Sequence, residues 1–173
     1  SLLLGTVCGT ALEVARPSIV FAQSNPSREA DRLLDEGLEL YRISQWPQAL
    51  DNWQRALALY RQVGNRFGEA DVLNNIGLIY KSLGDYPEAL DSYDQSLAFF
   101  RALGDRVGEF KTLANIGVIY QLLGDYPQAL DYQEQSLAIT RELDDRVGEA
   151  SSLCKITLTS APDSQSTSAG DSH

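Results

Sequence analysis

Apolar residues along this chain recur at steps of three and four, in two sets within each block of 40 residues. In the block from Gly64 to Leu103 the first set is Leu73, Ile76, Tyr80 and Leu83. The second is Tyr86, Ala89, Leu90, Tyr93, Leu97 and Phe100. Each set lines one face of an α-helix. Between them stands Leu83-Gly84-Asp85. Gly84 is free to take the left-handed conformation that ends a helix, and Asp85 is placed to cap the first amides of the next. Glu88, three residues on, makes an approximate capping box, as Gln128 does after Asp125. Pro87 falls in the first turn, where a missing N–H costs nothing. The block reads helix, tight turn, helix.

The block is repeated. Gly104 to Leu143 is identical to Gly64 to Leu103 at 24 of 40 positions, and Ser24 to Val63 shares 14 of 40, among them Gly37, Pro47, Ala49, Leu50 and Leu57. A fixed period in this range marks a stacked-repeat protein. The copies follow without linkers, so neighbours must pack on one another. The first copy is the most divergent, with helices predicted near Arg28–Ile43 and Trp46–Val63 after a polar linker (residues 23–27), and with Trp46 and Trp53 in place of tyrosines. A fourth copy, residues 144–158, begins with Arg146, Gly148, Glu149, Ala150, Leu153 and Ile156 and then fails: Lys155 replaces the asparagine and Thr157 the interior glycine. A lone first helix suits a C-terminal cap, or equally the edge of a longer array. Thr159 to His173 is rich in Ser, Thr, Asp and Gly, which predicts disorder.

Gly37, Gly77 and Gly117 recur at one register inside a helix, where glycine costs about 1 kcal/mol relative to alanine. Something must offset that cost. The expectation is a close crossing by the second helix of the pair, with Ala89 and Ala129 as the small partners on the other side.

These residues resemble the tetratricopeptide repeat (TPR) family from about Ser27 to Leu158. The likeness is carried by Leu73, Ile76, Gly77, Tyr80, Ala89 and Tyr93, and by Leu113, Ile116, Gly117, Tyr120 and Ala129. It implies an all-α, right-handed superhelical solenoid of α-α hairpins, with three full repeats and a partial fourth. The period of 40, against the usual 34 of the family, is similar to the kinesin-light-chain-like branch. Arg101 and Arg141 stand where the family ends its second helix with proline. Gln133 replaces the second aromatic of the third copy, so that repeat is expected to pack less well.

Composition narrows the chemistry. Formal net charge is −10, which repels nucleic-acid phosphates and argues against that class of partner. Asp91, Asp94, Asp131 and Glu134 fall on second helices, where a solvated outer face is the plain reading. Clustered His or Cys ligands for a metal are absent, and Gly104-x-x-x-Gly108 lacks the Lys-Ser/Thr of a phosphate loop, so no metal or cofactor is expected. His173 is the sole histidine and lies in the predicted tail, far from serving a dyad with Cys154. No enzyme is predicted. Residues 1–22 form a separate leader. Its apolar run Leu2 to Leu12 is too short to span a bilayer but suits a signal peptide with a truncated start, and Val20-Phe21-Ala22 suits a cleavage site. The chain is therefore expected to be exported, to the periplasm or beyond, with contact to a membrane only if the leader stays uncleaved; a cytoplasmic location is the alternative. With Ala22 as the boundary, Cys154 is the one remaining cysteine, so no internal disulfide is expected.

The resemblance also implies a site. First helices of a TPR stack line a concave groove suited to a peptide or partner segment. Counted from the interior glycine, the family places groove residues at five positions. In the second copy these are Asp71, Asn74, Asn75, Leu78 and Lys81. In the third they are Lys111, Ala114, Asn115, Val118 and Gln121, and in the first Asp31, Leu34, Asp35, Leu38 and Tyr41. Asn75 and Asn115 carry the sharpest signal, because an amide both donates and accepts and can pair with any peptide backbone. The alternative is that each bonds its own neighbouring helix. One branch of the family grips a chaperone's C-terminal carboxylate with Lys, Asn and Arg. Only Asn75 and Lys111 match that set, with Leu34, Leu38 and Asn115 at the other positions, so that specificity is not expected. The leader, Glu29 to Leu34 and the repeats also resemble exported bacterial TPR proteins, some of which carry a caspase-like (CHAT) peptidase domain. The functional expectation is a protein-interaction scaffold, with a self-association module or the regulatory part of such a longer protein as the alternatives.

Overall fold

A computed structural model of the chain describes residues 25–160. They form seven helices: α1 Pro26–Arg42, α2 Trp46–Val63, α3 Arg66–Leu83, α4 Tyr86–Leu103, α5 Arg106–Leu123, α6 Tyr126–Glu142 and α7 Arg146–Ser160. The described residues include no strand. α1 begins two residues before the expected Arg28, inside the predicted linker. Pro26 opens it, where a fixed φ suits the first turn, and the Asn25 side chain accepts the Ser27 N–H at 3.0 Å. α7 likewise runs on through Thr159 and Ser160, which the expected tail included. The leader, Cys8 and residues 161–173 with His173 lie outside the described residues. No described helix is long and apolar enough to cross a membrane.

Capping follows the sequence with two departures. Gly64, Gly84, Gly104 and Gly124 take the left-handed conformation at φ 70, 84, 69 and 79°. Asp125 accepts the Gln128 N–H, but Asp85 makes no side-chain cap bond, and the Gln128 side chain returns to the Asp125 carboxylate at 3.0 Å rather than to its main chain. The capping boxes are therefore not formed as expected. Two turns take the left-handed conformation without glycine, at Ser44 (φ 61°) and Asp144 (φ 55°). A Cβ there is crowded against the backbone. Ser44→Gly is expected to raise stability by about 0.5–1 kcal/mol, read as a shift of the urea midpoint at constant m-value; an unchanged midpoint contradicts it.

The helices pair as α1/α2, α3/α4 and α5/α6, and α7 packs on α6 as the unpaired start of a fourth hairpin. What crosses each interior glycine corrects the sequence expectation. A Cβ built on Gly77 would sit 2.6 Å from Tyr93 Cε1, and one on Gly37 would overlap the Trp53 indole. The glycine thus receives an aromatic ring and not chiefly the small Ala89. Gly117 is the exception: its neighbours are Gln133 Cγ at 3.0 Å and the Ala129 carbonyl oxygen at 3.2 Å. Gln133 takes the ring's place. It is only 1% exposed, accepts the Thr159 hydroxyl at 3.0 Å through Oε1, and leaves Nε2 without a partner among the described residues. The third repeat carries a buried, half-satisfied amide where the others carry a ring, and the ring of the second repeat likewise leaves the Tyr93 hydroxyl without a partner among the described residues.

A second device joins one hairpin to the next. Gly68 and Gly108, near the starts of α3 and α5, receive the rings of Tyr60 and Phe100 from the preceding helix. Beside them the buried carboxylates of Glu69 and Glu109 are each held by two arginines, one from the preceding helix and one from their own: Arg61 and Arg66, Arg101 and Arg106. Arg141 holds Glu149 at the next joint, at 2.9 Å. The arginines in the family's proline position are therefore clasps between repeats.

The stack curves. Odd-numbered helices approach one another directly, through Tyr41 and Ser82 (α1 to α3) and through Asn74 with Thr112 and Asn115 (α3 to α5). On the other side α2 and α4 are parted by a cleft of about 490 Å³ whose floor is Leu57, Leu73, Ile76 and Tyr80. Odd helices form the inner wall and even helices the outer one. Asp91, Asp94, Asp131 and Glu134 are exposed on the latter, as their pattern predicted.

Candidate binding groove

The inner wall is set by register. α3 and α5 each pack a Leu-x-x-Ile-Gly face on the partner helix, so the residues flanking that face turn inward to the concavity. Asn74 and Asn75 on α3 and Asn115 on α5 stand there, and the structure gives them different duties. Asn74 Oδ1 accepts from Thr112 Oγ1 at 3.4 Å and from Asn115 Nδ2 at 3.3 Å. Both bonds are long and therefore weak, yet they tie α3 to α5. Asn115 is thus partly spent on the stack. Asn75 is 8% exposed and has no side-chain hydrogen bond among the described residues. It is not among the amides whose polar atoms are sealed from solvent, so water or a ligand can complete it.

Around the amides, Leu78, Val118 and Gln121 are half-buried, and Lys111 is exposed. Leu78 packs beside the core of Tyr93, Leu113 and Ile116. Lys81 is half-buried; loss of water lowers its ammonium pKa, and the nearby Lys155 ammonium lowers it further. Burial raises the Asp71 carboxyl, against which Lys111 pulls it down. In the first copy Asp31 accepts the Tyr60 hydroxyl at 2.7 Å, and Tyr41 leans on Trp53 with ring centroids 5.9 Å apart.

The sequence reading missed three contributors. Thr112 and Ser82 carry inner-wall hydrogen bonds, and no pattern in the sequence distinguished them from other helix-face hydroxyls. Lys155 was read only as a lost asparagine. Its spacing of 40 residues from Asn115 was the available signal that it faces the same groove.

Asp71 and Lys81 give a pH-dependent test. The raised Asp71 pKa means that its neutral form favours folding: that contribution is complete below the ordinary value of 3.8 and is lost as pH rises through the folded one. The depressed Lys81 pKa is the mirror case, complete above 10.5 and lost as pH falls through the folded value. At neutral pH both charges oppose folding. Asp71→Asn and Lys81→Gln are each expected to raise Tm by a few degrees at pH 7, and the Asp71→Asn gain should vanish near pH 3. A gain that persists at pH 3 contradicts the assignment.

A described stack of helical hairpins whose first helices line an open inner wall defines a helical-repeat, solenoid-type protein. Residues 37–102 and 108–159 match the tetratricopeptide repeat family, and the chain belongs to it. Among solved structures, BtubC (BKLC) from P. vanneervenii is similar at a TM-score of 0.72 and 20% identity, covering 78% of this chain and 56% of that one. A Podosopora anserina protein described as a candidate kinesin light chain with nearly identical TPR-like repeats gives 0.67 at 15% identity, over 79% and 67% of the two chains. The TPR2AB domain of yeast Sti1, solved in complex with pHSP90, gives 0.63 at 24% identity, over 75% and 45%. The chain thus spans little more than half the length of BtubC. No curated protein matches.

Proposed function

We propose that this chain is a non-enzymatic scaffold that holds an extended segment of another protein along its inner wall. The observation that carries the reading is Asn75: an amide without a side-chain hydrogen bond among the described residues, its polar atoms open to the groove, flanked by Asn74, Leu78 and Lys81 on one wall. An extended peptide presents unpaired N–H and C=O groups, which such an amide completes. The free Asn115 oxygen and the half-buried Gln121 extend the polar track, while Leu78 and Val118 offer apolar contact. The Sti1 domain, a neighbour of the same fold, was solved with pHSP90, which is consistent with a protein ligand. Among the described residues no group of three or more metal-ligating side chains gathers. The test is recovery of binding partners by wild type and by Asn75→Ala/Asn115→Ala, with helicity checked by circular dichroism. The double variant is expected to lose about tenfold or more in affinity, in line with two lost backbone-pairing amides. Equal recovery at equal helicity removes the groove from the account.

A second reading is favoured by α7. Leu153 is 42% exposed, whereas its counterparts Leu73 and Leu113 are 4% and 1% exposed under a second helix. That open end is suited to stacking on another repeat. Light scattering over a concentration series tests it, and a strict monomer sinks self-stacking.

A further inference from the structure

The outer wall is filled at one joint and open at another. Between α4 and α6 the Tyr132 ring lies on Tyr120, with centroids 5.4 Å apart and an interplanar angle of 8°, and both rings pack on the core. Tyr80 and Tyr120 hold the same position of the repeat, 40 residues apart, and so do Ser92 and Tyr132. Serine thus stands where the third repeat carries a ring. Ser92 lines the cleft of about 490 Å³ between α2 and α4, over its floor of Leu57, Leu73, Ile76 and Tyr80. The Ser92 hydroxyl is directed to its own helix, donating to the Glu88 carbonyl at 2.8 Å. The Gln95 amide on the rim donates to Asp91 Oδ2 at 2.7 Å. What the cleft offers is an apolar floor that includes one tyrosine ring. The charge around it is one-sided. Glu88 and Asp91 line the cleft and Asp94 follows on the next turn, all three exposed. None of the three enters an ion pair among the described residues. Arg61, the arginine of the lining, already faces the Glu69 carboxylate at 3.7 Å.

We infer that this cleft is a docking site on the outer wall for a partner protein segment that inserts one aromatic side chain, with a lysine or arginine beside it. The ring takes the place beside Tyr80 that Tyr132 takes beside Tyr120. The basic neighbour meets Glu88 and Asp91. An aromatic ring brings a large, rigid contact area at little cost in side-chain entropy, and a second ring to stack on adds to that. The rim charges contribute less to affinity than to the choice among aromatic segments. An aliphatic side chain would cover the floor without using the Tyr80 ring. A nucleic acid also presents planar rings, but its phosphates are repelled by the acids of the rim. The site lies on the wall opposite the groove proposed above and does not depend on it.

The test is selection of a random dodecapeptide phage library on immobilised wild type, with counter-selection on Ser92→Tyr, in which the chain supplies the ring itself as the third repeat does. Clones specific for wild type are expected to be enriched about threefold or more in Tyr, Phe or Trp at one position, with Lys or Arg close by in the sequence. A synthetic peptide from that set should lose about tenfold in affinity for wild type when its aromatic residue becomes alanine. It should lose as much on Ser92→Tyr and bind Asn75→Ala/Asn115→Ala unchanged. Added to methyl-labelled wild type, it should shift the Leu57, Leu73 and Ile76 methyl resonances, a readout that needs no variant to fold. Ser92→Tyr itself should melt no lower than wild type; a lower Tm means that the cleft does not take a ring and overturns the inference. Recovery of no wild-type-specific clone, or of clones without an aromatic residue, overturns it too. A peptide that binds Ser92→Tyr unchanged, fails on the asparagine variant and shifts the Leu78 and Val118 methyls overturns this inference and leaves the groove reading standing.

Discussion

Replacing Trp53 with alanine is expected to cost about 4 kcal/mol, the range for removing a large aromatic from a core. Trp53 is fully buried, its indole fills the recess left by Gly37, and its Nε1–H donates to the Leu34 carbonyl at 3.1 Å. Alanine would leave a cavity that two rigid helices cannot close, and would remove the surface on which Tyr41 leans. Repeat arrays couple mainly between neighbours. The loss should therefore appear first as early melting of α1 and α2, with α5 to α7 holding to higher denaturant. Urea unfolding followed by circular dichroism and by Trp46 fluorescence would separate the two. A cost below about 1 kcal/mol would contradict the ring-in-recess account, given the range for core aromatics. Gly37→Ala attacks the same contact from the other side and should cost about 2 kcal/mol net, overpacking less the gain in helix propensity.

Glu69→Ala is the second large effect, at about 2 kcal/mol. The Glu69 carboxylate is 1% exposed and accepts from Arg66 Nη1 at 3.0 and 3.1 Å, with Arg61 Nε 3.7 Å away. Removing one partner of a fully buried pair costs about 3–5 kcal/mol, because it strands the other charge. Here Arg61 and Arg66 are more than half exposed and can turn to water, so the cost falls below that range. The contact joins α2 to α3, so its loss should also weaken coupling between hairpins and broaden the unfolding transition. Arg32→Ala is the control. Its pairs with Glu29 and Glu36 lie on the exposed side of α1, and such pairs are worth about 0–1 kcal/mol. If Arg32→Ala cost as much as Glu69→Ala, burial would not be what gives the joint its strength.

These two predictions show where the sequence was legible. The knob at residue 53 was visible as an aromatic at a repeating position, and Gly37 as a glycine in a costly place. That they meet was not visible, since the residues are 16 apart and the pattern pointed to small residues, Ala89 and Ala129 in the later copies, as what faces the interior glycine. The joint was misread more fully. Arg101 and Arg141 were noticed for the proline they replace, while Glu69 and Glu109 drew no attention, because a glutamate in a first helical turn ordinarily signals only a favourable helix terminus. In the groove, Asn75 and Asn115 looked equivalent at one register. Asn74, one position earlier in the same groove set, accepts a hydrogen bond from Asn115 and leaves Asn75 the freer of the two.

By itself the sequence determined the helices, their left-handed glycine stops, their pairing into hairpins and the period of the stack. Those features depend on contacts within a few residues, or on a repeat that copies them. The tertiary structure alone decided which side chain enters each glycine recess, which carboxylate is buried at a joint and which asparagine stays unengaged. Each of these is settled by how helices cross, and a crossing brings together residues that no local periodicity connects.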